Sequence, residues 1–372
     1  MLSRVRFNSV NTPPLYSVAF APCCIKLWDM PFFTAPLHEA ESSLPPLPLP
    51  DIQATLRKFM ASCRPLATEE EMGALERDCE EFARSHAPQL QAWLEEKQRD
   101  NVNWLEGMWE QLAYLSWAEP LAVNSNYASP FPPITAATPC AARISQTLAA
   151  ARAIITSLEF FSQLDAGSLK PDVLAGRTLD WSQYERLFST TRCALPDIDV
   201  MIHHDPRQQQ HIIVCAKDRV FALPVKGHGE HALDLALRSI IQLACDDSTR
   251  HADALSLPAL TALPRRTLGS IMQILKEEKG NAETLEVFEK ALFAVCLDDW
   301  EEYSYAGHVR QILHGNGSNR VYDKCFQLVV MPSGRVVRAP LAPQPRLNHT
   351  PHTTLPPPHT PHHTPHPLSP RA

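Results

Sequence analysis

The chain has 372 residues, 44% hydrophobic and 20% charged, a balance that fits a globular protein rather than a disordered one. Its net charge of −7 leaves no basic footprint for DNA or RNA, and no apolar run reaches the roughly 18–20 residues that cross a bilayer. Ten cysteines without one C-x-x-C pair exclude a zinc ribbon or a local redox dithiol and suggest neutral buried thiols.

Residues 1–43 read as a leader. Arg4, Arg6 and Lys26, with no acid before Asp29, match the composition of a mitochondrial transit peptide; an ordinary disordered leader fits as well. Pro45, Pro46, Pro48 and Pro50 then hold an extended segment. Ile52, Leu56, Phe59 and Cys63 recur at helical spacing, and Thr68 with Glu71 forms a capping box ahead of a second helix. The acidic run Glu69–Glu71 suits that helix's amino-terminus. Pro88 interrupts, and Leu90, Trp93 and Leu94 begin a third helix.

"NVNWLEGMWEQLAYLSW" predicts an aromatic-rich helix, and residues 118–139 a loop. A long helix follows with Ile144, Leu148, Ala151, Ile155 and Leu158 on one stripe. "DWSQYERLFSTTR" predicts a short helix leading into a polar loop that holds His203 and His204; the loop reads as solvated, since no third metal ligand lies nearby. "HIIVCA" and "VFALPV" predict a hairpin around Lys217–Arg219, and "FQLVVM" and "RVVRA" another at Pro332–Gly334. Further helices are expected over 233–244, 265–279, 283–297 and 302–313. His314, Gly315 and Gly317 read as a helix stop rather than a phosphate loop. Strands separated by helices argue for an α/β domain. Residues 339–372 are rich in proline, histidine and threonine, lack periodicity and read as a disordered tail whose histidines bind metal only adventitiously.

Several segments together resemble the carnitine/choline acyltransferase family: "LPPLPLPDIQATLRKF", "NWLEGMWEQLAYL", "LDWSQYERLFSTTR", "HIIVC", "LFAVCLDD" and "LHGNGSNRVYDKCFQLVV", in the family's order and approximate spacing. The resemblance covers about residues 44–337. It implies a two-domain α/β fold that moves acyl groups reversibly between coenzyme A and the hydroxyl of carnitine or choline. Within that fold, residues 44–100 would be helices that pack on the carboxy-terminal domain, and residues 101–338 most of the amino-terminal domain with its mixed sheet. The carboxy-terminal domain itself would be missing.

The resemblance also assigns residues. Trp109 matches the second aromatic of the family's N-W-L-x-x-W-W pattern, with Met108 at the first, and Tyr114 matches the tyrosine of A-Y-L; both would line the substrate pocket. An aromatic face attracts a trimethylammonium group, and a tyrosine hydroxyl binds a carboxylate. Read without the family, both residues are core aromatics, about 140° apart on an ideal helix. Val321 and Leu268 stand where the family commonly has tryptophan and read as core positions.

The family's catalytic histidine follows soon after the strand and turn that match "FQLVVMPSG", which places it just after Val337. Here that window reads "RVVRAPLAPQPRLNH", and no Glu-His pair follows Val337. The expectation is therefore a carnitine O-acyltransferase homologue, inactive as given, with acyl-coenzyme A as co-substrate, no tightly bound cofactor and no metal. It would be a monomer, mitochondrial rather than peroxisomal or cytoplasmic. A choline acetyltransferase homologue, a non-catalytic binding protein and a gene-model fragment are the alternatives.

Overall fold

The computed structural model describes residues 8–9, 44–126, 129–130, 144–170, 172–179, 182–246 and 256–340. The transit-peptide reading of the leader and the tail reading beyond Pro340 lie outside these residues. Among them run eleven strands: β1 (Asn8–Ser9), β2 (Ser129–Pro130), β3 (Val173–Leu174), β4 (Arg177–Thr178), β5 (Thr190–Cys193), β6 (Val200–His203), β7 (His211–Ala216), β8 (Arg219–Pro224), β9 (Ala294–Leu297), β10 (Phe326–Val330) and β11 (Val336–Pro340). The helices are α1 (Ile52–Cys63), α2 (Glu69–Ser85), α3 (Ala87–Asp100), α4 (Glu106–Trp109), α5 (Leu121–Asn124), α6 (Gln146–Asp165), α7 (Glu230–Cys245), α8 (Leu257–Thr261), α9 (Arg265–Glu277), α10 (Asn281–Lys290) and α11 (Tyr305–Leu313).

The main sheet is mixed, as expected, with order β1-β8-β7-β9-β10-β11-β2. Both predicted hairpins form: β7 with β8, and β10 with β11. The Lys217–Asp218 turn takes positive φ at both residues, which suits the twist of a tight hairpin. Strand β9 lies parallel to β7 on one side and to β10 on the other.

Alternation along the strands builds two cores. Ile212, Val214, Ala216, Val295 and Leu297 pack with Ile154 of α6 and Leu233, Leu237 and Ile240 of α7. Ile213, Cys215, Ala294 and Cys296 face the other way, toward Leu268 and Leu275 of α9 and Leu285 and Phe288 of α10. Both faces of these strands are buried, which explains the unbroken apolar runs in their sequence. Val321 and Leu268 sit in the second core without exposure, as predicted.

Helices α1–α3 stand apart from this sandwich. Asp51 caps α1 by accepting from Ala54 N, and the Thr68–Glu71 capping box forms at α2. Yet α1 buries none of its side chains, and only Met72 and Cys79 of α2 and Ala87 of α3 are buried. Phe59, Leu66, Leu90 and Trp93 are exposed. Within this segment, Leu47 N donates to Val102 O at 2.7 Å and Gln98 Nε2 to Leu47 O at 2.9 Å, which closes its two ends on each other.

Several expectations need correction. The helix predicted over 283–297 ends at Lys290, and its last residues are β9, the centre of the sheet; a continuous apolar run reads equally as buried strand or helix. The loop predicted over 118–139 contains α5 and β2. "DWSQYERLFSTTR" is a 3₁₀ turn (Ser182–Arg186) followed by strand β5. The supposed solvated loop after it is the β5–β6 hairpin, which half-buries His203 and His204. Ordered pairing also passes beyond Val337, where the resemblance ends. Strand β11 continues to Pro340, into the segment read as tail, because Phe326 and Gln327 of β10 offer Pro340 and Ala339 a paired edge.

Candidate functional site

The segment carrying Trp109 and Tyr114 is not a regular α-helix. After α4 it widens into a π-helix over Glu110–Leu115, with Ser116 N bonded to Gln111 O at 2.9 Å. Bonding five residues apart brings positions i and i+5 within one turn, so the 140° separation of an ideal α-helix does not apply here. The two aromatics nonetheless have different surroundings. Trp109 is 47% exposed, whereas Tyr114 is buried beneath the Arg192 guanidinium, whose carbon lies 4.2 Å from the ring centroid. Burial pushes the Tyr114 phenol above its ordinary range. Arg186 fastens the segment from outside through Glu110 at 3.3 Å and Glu106 at 3.6 Å. Burial raises the Glu110 carboxyl against the pull of Arg186.

Behind Tyr114 lies a buried ionic network. Arg192 Nε and Arg265 Nε both donate to Asp199 Oδ2, at 2.7 and 2.6 Å, and Arg265 Nη1 donates to Asp323 Oδ1 at 2.6 Å. Arg192 Nη2 also reaches Trp117 O, and Arg265 N reaches Ala118 O. Two arginines against two carboxylates leave the cluster neutral. Burial works to lower Arg265, but Asp323 and Asp199 hold it above its ordinary range. The network ties the Tyr114 segment to β5, α9 and the turn before β10.

A second buried cation sits beside it. Lys324 Nζ donates to Thr191 Oγ1 at 2.9 Å, Glu289 O at 3.0 Å and Ala291 O at 2.7 Å, so it caps the end of α10 with neutral acceptors. Burial lowers its pKa to about 8. His203 Nδ1 lies 2.6 Å from Thr190 Oγ1, and burial lowers its pKa to about 4. On the far side of the second core, Arg320 grips Asp298 with two bonds of 2.7 and 2.8 Å, which Gln311 Nε2 joins at 2.9 Å. No group of three or more His, Cys, Asp or Glu able to hold a metal occurs among the described residues.

Val337, which marks the point after which the family histidine is expected, is not itself part of a site. It has no solvent exposure, pairs with Val329 of β10 and Pro130 of β2, and packs with Ile312 of α11 and Met331. Its apolar side chain carries no proton to transfer, so its role is to seat β11 in the sheet.

A family model, choline/carnitine O-acyltransferase, matches residues 47–338. The chain belongs to this family. Among curated relatives, it is 32% identical over 311 residues to the human muscle isoform of carnitine O-palmitoyltransferase 1 and 30% over 312 residues to the human liver isoform. Each alignment covers 81% of this chain and 39% of the relative. Human mitochondrial carnitine O-palmitoyltransferase 2 is 26% identical over 333 residues, 80% of this chain and 49% of the relative. The chain thus spans about two fifths to one half of the length of these relatives. Within the family segment, the sequence pointed to Trp109 and Tyr114 but missed Arg192, Asp199, Arg265 and Asp323. Three of those four were in view, in "FSTTR", "LTALPRR" and "VYDKC": charges placed among apolar residues, which only a buried partner makes tolerable.

Proposed function

We propose that this chain is a carnitine O-acyltransferase homologue that carries the acceptor-side wall of the pocket at Trp109, with Tyr114 buried behind it, and does not turn over as given. The single observation behind the carnitine reading is the match to three carnitine palmitoyltransferases over four fifths of the chain. Acyl-coenzyme A is then the co-substrate, and a mitochondrial location follows the name of one relative. The half-exposed Trp109 supports a face open to a trimethylammonium group, while the buried Tyr114 and its arginine fix the backbone that presents it. The inactivity rests on chemistry. Acyl transfer needs a general base near neutral pKa, and the residues after Val337 supply no Glu-His pair where the resemblance puts one.

The test is an assay of the recombinant chain for coenzyme A release from acetyl-, octanoyl- and palmitoyl-coenzyme A with carnitine, beside tryptophan fluorescence titrated with carnitine and with choline. The reading expects no turnover above background and a carnitine-dependent fluorescence change that Trp109→Phe removes. Turnover would refute the inactivity; a response to choline alone would refute the acceptor. A non-catalytic, partner-binding protein is the second reading, and the exposed Phe59, Leu90 and Trp93 of α1 and α3 favour it.

A further inference from the structure

Cysteine spacing along the sequence excludes a local dithiol, but the sheet assembles one from distant residues. Cys215 on β7 and Cys296 on β9 are register partners in the parallel pairing of those strands. Neighbouring strands lie about 4.8 Å apart, inside the roughly 4.4–6.8 Å Cα separation that a disulfide bridges. Both side chains point to the same face, into the core that holds Leu268 and Val321, and neither has solvent exposure. Cys296 Sγ donates to Gln327 Oε1 at 3.5 Å, and the same oxygen accepts from Val321 N at 3.1 Å. The Cys215 thiol is pushed well above its ordinary range, first by hydrogen bonding with Cys296 and then by burial.

We infer that Cys215 and Cys296 form an oxidisable pair that hydrogen peroxide converts into a disulfide joining β7 to β9. One thiolate attacks the peroxide O–O bond, giving a sulfenic acid and hydroxide. The second thiolate attacks that sulfur, the S–S bond forms, and hydroxide leaves. The protons lost by the two thiols convert both hydroxides to water, and the two electrons lost by sulfur reduce the peroxide. Burial and suppressed thiolate make the closed sheet slow to react, so the bond forms as the β7–β9 pairing opens transiently. Once formed, it closes a loop of roughly eighty residues and holds the central strands together. Strand β9 leads directly to Asp298, so the bridge also fixes the strand that presents the Asp298–Arg320 pair.

The experiment uses the full chain at pH 7.5. Hydrogen peroxide is added, remaining thiols are blocked with iodoacetamide, and a digest without reductant is read by mass spectrometry. The expected result is a Cys215 peptide linked to a Cys296 peptide and released by dithiothreitol. Oxidation should raise the melting midpoint by several degrees in the wild type and leave Cys296→Ala unchanged. Recovery of both thiols reduced after the exposed Cys245 has oxidised would overturn the inference. So would separate oxidation of each to a sulfinic acid without a link. The link is read on the wild type, so a poorly folded variant does not remove the test.

Discussion

Arg265 shows how much a single side chain holds at this site. Its guanidinium joins Asp199 and Asp323, its backbone N–H joins Ala118 O, and it is almost completely buried. Removing it leaves two carboxylates in a water-poor interior, with only Arg192 to answer them. Loss of one partner from a buried pair costs about 3–5 kcal/mol, because the remaining charge keeps its desolvation penalty. Arg152, by contrast, pairs with Glu230 where both side chains are about a third exposed or more, and such pairs contribute about 0–1 kcal/mol. Urea unfolding of Arg265→Ala and Arg152→Ala should therefore differ by several-fold in lost stability. Equal, small losses would mean that the network is not what holds the Tyr114 segment in place.

Elements were legible where their period was unambiguous. The capping box at Thr68 and the two long hairpins follow from residue type and spacing; of the stripe read on α6 only Ala151 is buried, and the helix turns Ala150 and Ile154 inward instead. The β5–β6 hairpin was missed because Arg192 and His203 are polar, and their pairing comes from the buried network rather than from alternation. The π-turn at Glu110–Leu115 leaves no sequence mark, since the insertion of one residue into a turn changes no residue type. Helices α1–α3 show the opposite case, local signals that are right without a tertiary partner to match among the described residues. A short helix gains most of its stability from the face it buries, and α1 buries no side chain. Hydrogen exchange should accordingly find the amides of α1 and of the first turns of α2 least protected, and those of β7, β9 and β10 most. A dye that fluoresces on apolar surface should bind the native chain and lose most of its signal on Phe59→Ser with Trp93→Ser. Uniform protection with no dye signal would show that this face is covered after all.

At the scale of the whole molecule, the sheet carries two faces of different character. One is a plain apolar layer under α6 and α7; the other mixes aliphatic residues with buried charge and half-buried imidazole. His203, His204 and His211 flank α10 and the adjoining strands, and burial lowers the pKa of each. His211 Nε2 lies 2.8 Å from Val287 O, while His204 Nε2 is shielded from solvent without a hydrogen-bond partner among the described residues. The sign of the pH response follows from this. An unfolded histidine takes up its proton near pH 6.5, whereas folded His203 resists until about pH 4. Between these values the unfolded chain binds more protons, so stability falls as pH falls. Above pH 6.5 all three imidazoles are neutral in both states and nothing is lost; by pH 4 His203 alone accounts for at most about 3 kcal/mol. Lys324 does not offset this, because it is protonated on both sides of the acid window. Urea midpoints measured from pH 7.5 down to 4.5 should decline most steeply below pH 6.5, and His203→Gln should flatten that limb while leaving pH 7.5 comparatively unaffected. A wild-type midpoint that stays level across this range would mean that the imidazoles are already solvated in the folded chain. The buried, polar face of the sheet would then have to be looser than its hydrogen bonds imply.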